Sequence, residues 1–327
     1  MLILTKQDLK SLLKMSDVIR AVEDGFRALA AGATRIPNRL GLSLPEDRAT
    51  VLMMPAYAEP ISNAADPKLG AKIVSVFPAN AERGLDVVQA LYLLLDGETG
   101  APLSVMDGRL ITGIRTAAAS AAATRYMSNP GKKVLAVFGA GVQAAFHIEA
   151  MREAAETNRI LIASRGAGRA ERLRSSVRDR FGIECELVSH NEAAASADLI
   201  CTCSSASEPL FDGSLLKPGT HINAVGAFTP TARELDTATM TRSRVIIDAE
   251  GAAGSEAGEI LIPASQGIRG FVKGTLADVI TGTIQGRRSP EEITVFKSCG
   301  LAIEDLVTAR LAYDLALDAG IGIEVPM

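Results

Sequence analysis

Cysteine and histidine are scarce in this chain, four and three residues among 327. Cys185, Cys201, Cys203 and Cys299 form no C-x-x-C pair, and His147, His190 and His221 are scattered, so no metal site is expected from their spacing. Cys201 and Cys203 alternate within the strand-like DLICTCSS and read as reduced, packed thiols. Positive charge is not in excess either: the net charge is −4, which gives no broad basic field for nucleic acid or an anionic membrane. No apolar run reaches the ~18 residues of a membrane span. The opening MLILTKQDLKSLL lacks the charged-then-apolar layout of a signal peptide, so a cytoplasmic protein is expected. Internal repeats and low-complexity tracts are absent as well. What remains is an ordinary globular composition, 47% hydrophobic and 22% charged, with length enough for two cored domains.

The most informative stretch is KKVLAVFGAGVQAA, residues 132–145. Val134 to Phe138 read as a buried parallel strand that runs into Gly139-Ala140-Gly141-Val142-Gln143-Ala144, with a helix-forming AAFHIEAMREAAE behind. This is G-x-G-x-x-A in the strand–turn–helix setting of a dinucleotide fingerprint. Gly139 permits the tight turn, Gly141 leaves room for a pyrophosphate, and Ala144 lets helix and strand approach closely. The helix N-terminus offers N–H groups and a positive dipole end to the phosphates.

The next strand, RILIAS, ends in Ala163-Ser164-Arg165, with Arg169 and Arg172 close behind. No carboxylate stands there to accept from a ribose 2′-OH, and a guanidinium pairs well with a 2′-phosphate, so NADP(H) is favoured over NAD(H). The alternative is that these arginines form the solvated face of a helix over 169–180. Beyond Asn129-Pro130-Gly131, to about residue 275, strand-like VLAVF, RILIAS, ADLICTC, THINAV and RVIIDA alternate with helical segments. That alternation predicts an α/β fold, a Rossmann domain with a doubly wound, mostly parallel sheet.

Ahead of it come a helix from Ser16 to Ala31 and the strand-like ATVLMMPAY, AKIVSVFP and VVQALYLLLD. The last forms a hairpin with PLSVMD across the turn Gly97–Gly100. An alanine-rich helix is expected over 115–127, stopped by Asn129-Pro130-Gly131, and the closing segment 293–319 reads as one amphipathic helix. Lys72 interrupts the apolar GAKIVSV, where a buried cation is costly unless used. Desolvation would lower its pKa toward neutrality and suit it to proton exchange; a lysine snorkelling from an edge strand fits the same sequence.

Several segments together resemble the ornithine cyclodeaminase/mu-crystallin family of NAD(P)-dependent proteins. They are IPNRL (36–40), GAKIVSVFP (70–78), LLLDGETGAPLSVMDG (93–108), ITGIRTAAASAAAT (111–124), VFGAGVQA (137–144), THINAVGAFTPTARELD (220–236), GEI (258–260) and ITVFKSCGLAIEDL (293–306). The resemblance implies an α+β substrate and dimerisation domain over 1–120, completed by a C-terminal helix in 300–327, beside an NAD(P)-binding Rossmann domain over 121–299. It implies a homodimer and a small imino or amino acid substrate. The family pattern falls on Lys72, Arg39 and Arg115 as the catalytic set: two arginines to hold a substrate carboxylate and a lysine to serve the imine nitrogen. It puts Thr116 and residues 140–143 at the cofactor phosphates, and Ser204, Ser205, Val225 and Gly226 around the cofactor, with Ser298–Leu301 bordering the nicotinamide.

One departure separates the activities of this family. Where cyclodeaminases read Gly-Ala-Asp, this chain reads Gly226-Ala227-Phe228, and phenylalanine neither accepts a proton nor pairs with an ammonium group. The expected activity is therefore NAD(P)H-dependent reduction of a small 2-imino carboxylate to the amino acid. The alternatives are an ornithine cyclodeaminase in which Asp86, Glu234 or Asp236 replaces the missing aspartate, and a non-catalytic NADPH-binding protein.

Overall fold

A computed structural model describes residues 1–45, 48–60 and 66–326. The chain divides into two compact units, Met1–Arg115 with Leu301–Met327, and Thr116–Gly300.

The first unit opens with β1 (Leu2–Leu4), α1 (Lys6–Leu12), α2 (Met15–Ala30), β2 (Thr34–Arg35), β3 (Leu40–Ser43), β4 (Thr50–Ala58), β5 (Lys68–Val76), β6 (Val88–Asp96) and β7 (Pro102–Asp107). These feed α3 (Gly108–Met127), within which the division between units falls; the helix starts at Gly108, ahead of the start expected at Arg115. The β6–β7 hairpin closes on Asp96, whose Oδ1 accepts from the Thr99 N–H at 2.8 Å and hydroxyl at 2.7 Å, with Gly100 at φ 73° completing the turn.

Register explains the two faces of this sheet. Met54, Lys72, Tyr92, Met106 and Leu4 stand opposite one another across five strands, all 5% exposed or less. One step along, Leu40, Met53, Ile73 and Leu91 form the row of the opposite face, 43–68% exposed. Because side chains alternate along a strand, one sheet carries both a buried row and an exposed apolar one.

The second unit holds β8 (Lys133–Phe138), α4 (Val142–Ala154), β9 (Thr157–Ala163), α5 (Ala167–Phe181), β10 (Cys185–Leu187), α6 (His190–Ser196), β11 (Leu199–Thr202), β12 (His221–Ala224), α7 (Thr237–Arg242), β13 (Ser243–Ile247), α8 (Glu250–Glu256), α9 (Gly258–Ser265), β14 (Val272–Thr275), α10 (Leu276–Ile280) and β15 (Ile293–Lys297). Its eight strands are all parallel, in the order β10-β9-β8-β11-β12-β15-β13-β14. The order reverses between β8 and β11, so the crevice at the carboxyl ends of those strands is where such sheets bind ligands. The Rossmann sheet and the mixed sheet of the first unit are the fold expected from the sequence.

The chain then returns to the first unit through α11 (Ala302–Ala319) and β16 (Ile323–Glu324), which pairs with β1. Here the structure corrects the reading of 293–319 as one helix. Ile293–Lys297 is β15, wholly buried between β12 and β13. Its β-branched and aromatic residues favour a pleated, two-sided burial, and Gly300 at φ 82° turns the chain before α11 begins. Helix α11 packs on α2 and on β4, β5 and β6, covering the buried row.

Candidate active site

The glycine turn is built as its sequence reads, with the two glycines doing different work. Gly139 has φ 113°, and a Cβ there would stand 2.6 Å from the Cys203 carbonyl oxygen at the end of the neighbouring strand. Packing within the protein therefore explains Gly139. Gly141 is the N-cap of α4 with φ −98°, and a Cβ there would meet nothing within 4 Å. No side chain caps this helix, and Val142 is 63% exposed beside the open space. An uncapped helix start with an exposed glycine suits the close approach of a pyrophosphate, so the residues present fit a dinucleotide.

Thr116 apart, the other expected cofactor residues follow the carboxyl ends of these strands. Ser164 follows β9 and its Oγ accepts from the Gly166 N–H at 3.3 Å; Arg165 and Arg169 are exposed, the second with its guanidinium near Gly166. Ala140 and Gln143 flank Gly141 in the turn, each half-buried. Ser204 and Ser205 follow β11, Val225 and Gly226 follow β12, and Thr116 is buried on α3. The Asp248 carboxylate gathers Ser298, Cys299 and Gly300 by accepting the Ser298 hydroxyl at 3.2 Å and two backbone N–H groups at 2.6 and 2.7 Å.

In the first unit the sheet and α11 assemble a second cluster. Lys72 is 1% exposed on a central strand, which removes the snorkelling alternative, and its Nζ donates to Asp305 Oδ2 at 2.7 Å. Asp305 Oδ1 accepts from Arg115 Nε at 2.9 Å, and Arg115 Nη1 donates to Glu304 Oε2 at 2.7 Å. Glu304 Oε1 also accepts the Leu301 N–H at the start of α11, at 3.1 Å. Two cations and two carboxylates thus balance in a fully buried site, a geometry in which each charge depends on the others.

Burial lowers the Lys72 pKa to about 8, helped by the Arg115 charge and opposed by Asp305. Burial also works against the Arg115 charge, but Asp305 and Glu304 outweigh it and raise its pKa. Tyr92, directly opposite Lys72, has its phenol pushed up by burial and by Asp305, and its hydroxyl takes no hydrogen bond. Arg39 precedes β3 by one residue. The strand register carried one step back aligns it with Met54 and Lys72.

Asp305 and Glu304 were not among the residues expected from the sequence. They lie 190 and 189 positions from Arg115, and only the acidic pair opening an apolar helix marked them. The three carboxylates considered as replacements for the family aspartate are all engaged. Asp86 pairs with Arg109 at 2.8 Å, Asp236 caps α7 through the Thr239 N–H at 2.7 Å, and Glu234 holds the backbone of Ser204 and Gly226. Phe228 itself is 44% exposed in the turn after β12.

The chain is 38% identical over 283 residues to the ketimine reductase mu-crystallin of Rattus norvegicus, covering 86% of each. Among solved structures it matches the Delta(1)-pyrroline-2-carboxylate reductase of Thermococcus litoralis in complex with NADH and L-proline, with TM-score 0.95, 37% identity, 99% of this chain and all of that one (100%). It also matches an archaeal alanine dehydrogenase dimer with bound NAD, with TM-score 0.92, 33% identity and coverage of 99% and 98%. The family model matches residues 1–320, and with a dinucleotide turn on one unit and a buried lysine–arginine cluster on the other, the chain belongs to the ornithine cyclodeaminase/mu-crystallin family.

Proposed function

We propose that this protein is an NAD(P)H-dependent reductase of a small 2-imino carboxylate, forming the corresponding amino acid. The observation that carries this reading is the buried lysine: Lys72 lies at 2.7 Å from a carboxylate shared with Arg115, with a pKa lowered to about 8. A reduced nicotinamide, when bound, supplies the hydride that reaches the imine carbon. Lys72 supplies the proton to the imine nitrogen, so one hydride and one proton convert C=N to CH–NH. Arg39 and Arg115 hold the substrate carboxylate; a planar guanidinium offers it two parallel donors. Gly139 shapes the turn, Thr116, Ala140, Gly141, Val142 and Gln143 bind the pyrophosphate, and Ser204, Ser205, Val225 and Gly226 border the nicotinamide end. The first unit is the substrate domain and the second the cofactor domain.

Ser164, Arg165 and Arg169 receive a 2′-phosphate, and NADPH is preferred over NADH. The relatives described above hold NADH or NAD, so this preference rests on the exposed arginines and on the missing carboxylate after β9. A second copy of the chain covers the apolar row Leu40, Met53, Ile73 and Leu91, in keeping with the dimeric archaeal relative. The four cysteines form no disulfide, in keeping with a reducing cytoplasm.

The test follows absorbance of NADPH and of NADH with pyrroline-2-carboxylate, piperideine-2-carboxylate, and pyruvate or oxaloacetate mixed with ammonia. Ornithine is assayed in parallel for ammonia release. Oxidation of NADPH with an imino acid, and none of the ornithine reaction, is the expected result. Ammonia from ornithine without net oxidation would replace the reductase by a cyclodeaminase, and cofactor binding without any turnover would leave only a binding protein.

A further inference from the structure

Glu234 is fully buried, and both its oxygens are occupied at the ends of two neighbouring strands. Oε1 accepts the Ser204 N–H and the Ser204 hydroxyl, each at 2.7 Å, just past β11. Oε2 accepts the Gly226 N–H at 2.8 Å, just past β12. Behind it, the Glu234 N–H donates to Glu259 Oε1 at 2.9 Å, and Glu259 Oε2 stands 3.1 Å from Lys297 Nζ at the end of β15. Lys297 in turn donates to the Ala227 carbonyl. Glu259 and Lys297 are both fully buried.

The segment Gly226–Ala227 is therefore held from both sides, its N–H by Glu234 and its carbonyl by Lys297, and Phe228 follows immediately. Gly226 leaves no space for a side chain here: a Cβ would collide with the Ser204 carbonyl and the Glu234 carboxylate. Two carboxylates and one ammonium taken out of water cost far more than a serine or asparagine cap would, and removing one member of such a set leaves the others uncompensated. The strand ends they fix are those at the carboxyl edge of the sheet, next to the switch point.

We infer that Glu234, backed by Glu259 and Lys297, is a positioning residue that sets the loops bordering the nicotinamide, Ser204–Ser205 and Val225–Phe228. The inference rests on the cofactor reading proposed above. Glu234 touches neither substrate nor cofactor in this scheme; it acts through the two loops.

The experiment uses the full-length protein with Glu234→Gln. The amide keeps one acceptor and turns a donor toward the remaining N–H, so one of the two strand ends is released. Folding is checked by circular dichroism and thermal melting, NADPH affinity by fluorescence titration, and turnover with the best imino acid, including the isotope effect from 4-deuterated NADPH. A folded variant with NADPH affinity about tenfold weaker, the loss of one charge-assisted hydrogen bond, is expected. Its kcat should fall with a larger isotope effect, while the imino acid KM stays near that of the wild type. A folded Glu234→Gln protein with unchanged affinity, kcat and isotope effect would overturn the inference. If that variant does not fold, Ser204→Ala removes the hydroxyl's bond to Glu234 together with its acceptance of the Ala206 N–H, and leaves the Ser204 and Gly226 N–H bonds to Glu234 in place; it should weaken NADPH binding to a smaller degree, and no change would again overturn the inference. Should the wild type reduce no imino acid, the reductase reading fails, and the NADPH titration alone still decides the role of Glu234.

Discussion

At the scale of single residues, the proposed chemistry turns on how Lys72 is charged. Its pKa near 8 lies below the ordinary 10.5, because burial and Arg115 outweigh Asp305. In the direction of imine reduction the ammonium form is the active one. The rate should therefore be flat below pH 8 and fall as the pH rises through it, whereas amino acid oxidation needs the neutral amine and should rise over the same range. Steady-state kcat against pH in both directions checks this. Lys72→Met should lower turnover by about 100- to 10,000-fold, the range for a lost acid–base group, with NADPH affinity unchanged. Unchanged turnover would remove Lys72 from the mechanism. Asp305→Asn deletes the carboxylate that raises the Lys72 pKa, so the falling limb of the reduction profile should move to lower pH; a limb that stays in place would mean another group titrates there.

At the scale of elements, the two glycines of the β8–α4 turn allow a clean separation of folding from binding. Gly139→Ala places a side chain at a φ of 113° and 2.6 Å from a carbonyl. It should destabilise the fold by at least about 1–3 kcal/mol, a strained-backbone cost, and lower the Tm. Gly141→Ala meets open space, so its effect on stability should stay below about 1 kcal/mol, the difference between glycine and alanine at an N-cap, while NADPH affinity drops clearly. Paired melting and titration curves decide the matter, and equal losses of affinity at unchanged Tm would contradict the assignment.

This turn, and the strand–helix alternation around it, were legible because each signal is local: an apolar strand, two glycines and a helix all fall between Lys133 and Ala154. Lys72 stood out for a related reason, a cation in an apolar run. Its partners did not, since Asp305 comes to it from a helix 233 positions away and charge on an amphipathic helix ordinarily faces water. The strand 293–297 is not legible because ITVFK is a short apolar run, which periodicity alone does not tell from the first turns of a helix; burial on both faces makes it a strand.

At the scale of the whole molecule, the sheet of the first unit divides its work by parity. Even positions 54, 72, 92 and 106 turn inward to the charged cluster, and their odd neighbours 53, 73 and 91, with Leu40, present an apolar row to solvent. Exposed apolar rows of this kind on a sheet face mark an association surface. The proposed dimer predicts that Ile73→Lys, on the face away from Lys72, shifts the protein from dimer to monomer in size-exclusion chromatography with light scattering. Because Ile73 is 47% exposed, the monomer's own stability should change by no more than about 0.5 kcal/mol, the usual range for a surface site. The Tm of the wild type should then rise with protein concentration while that of the variant does not, since only the former gains from association. A wild-type protein that is monomeric at micromolar concentration would leave the row without a partner copy and assign it to some other surface.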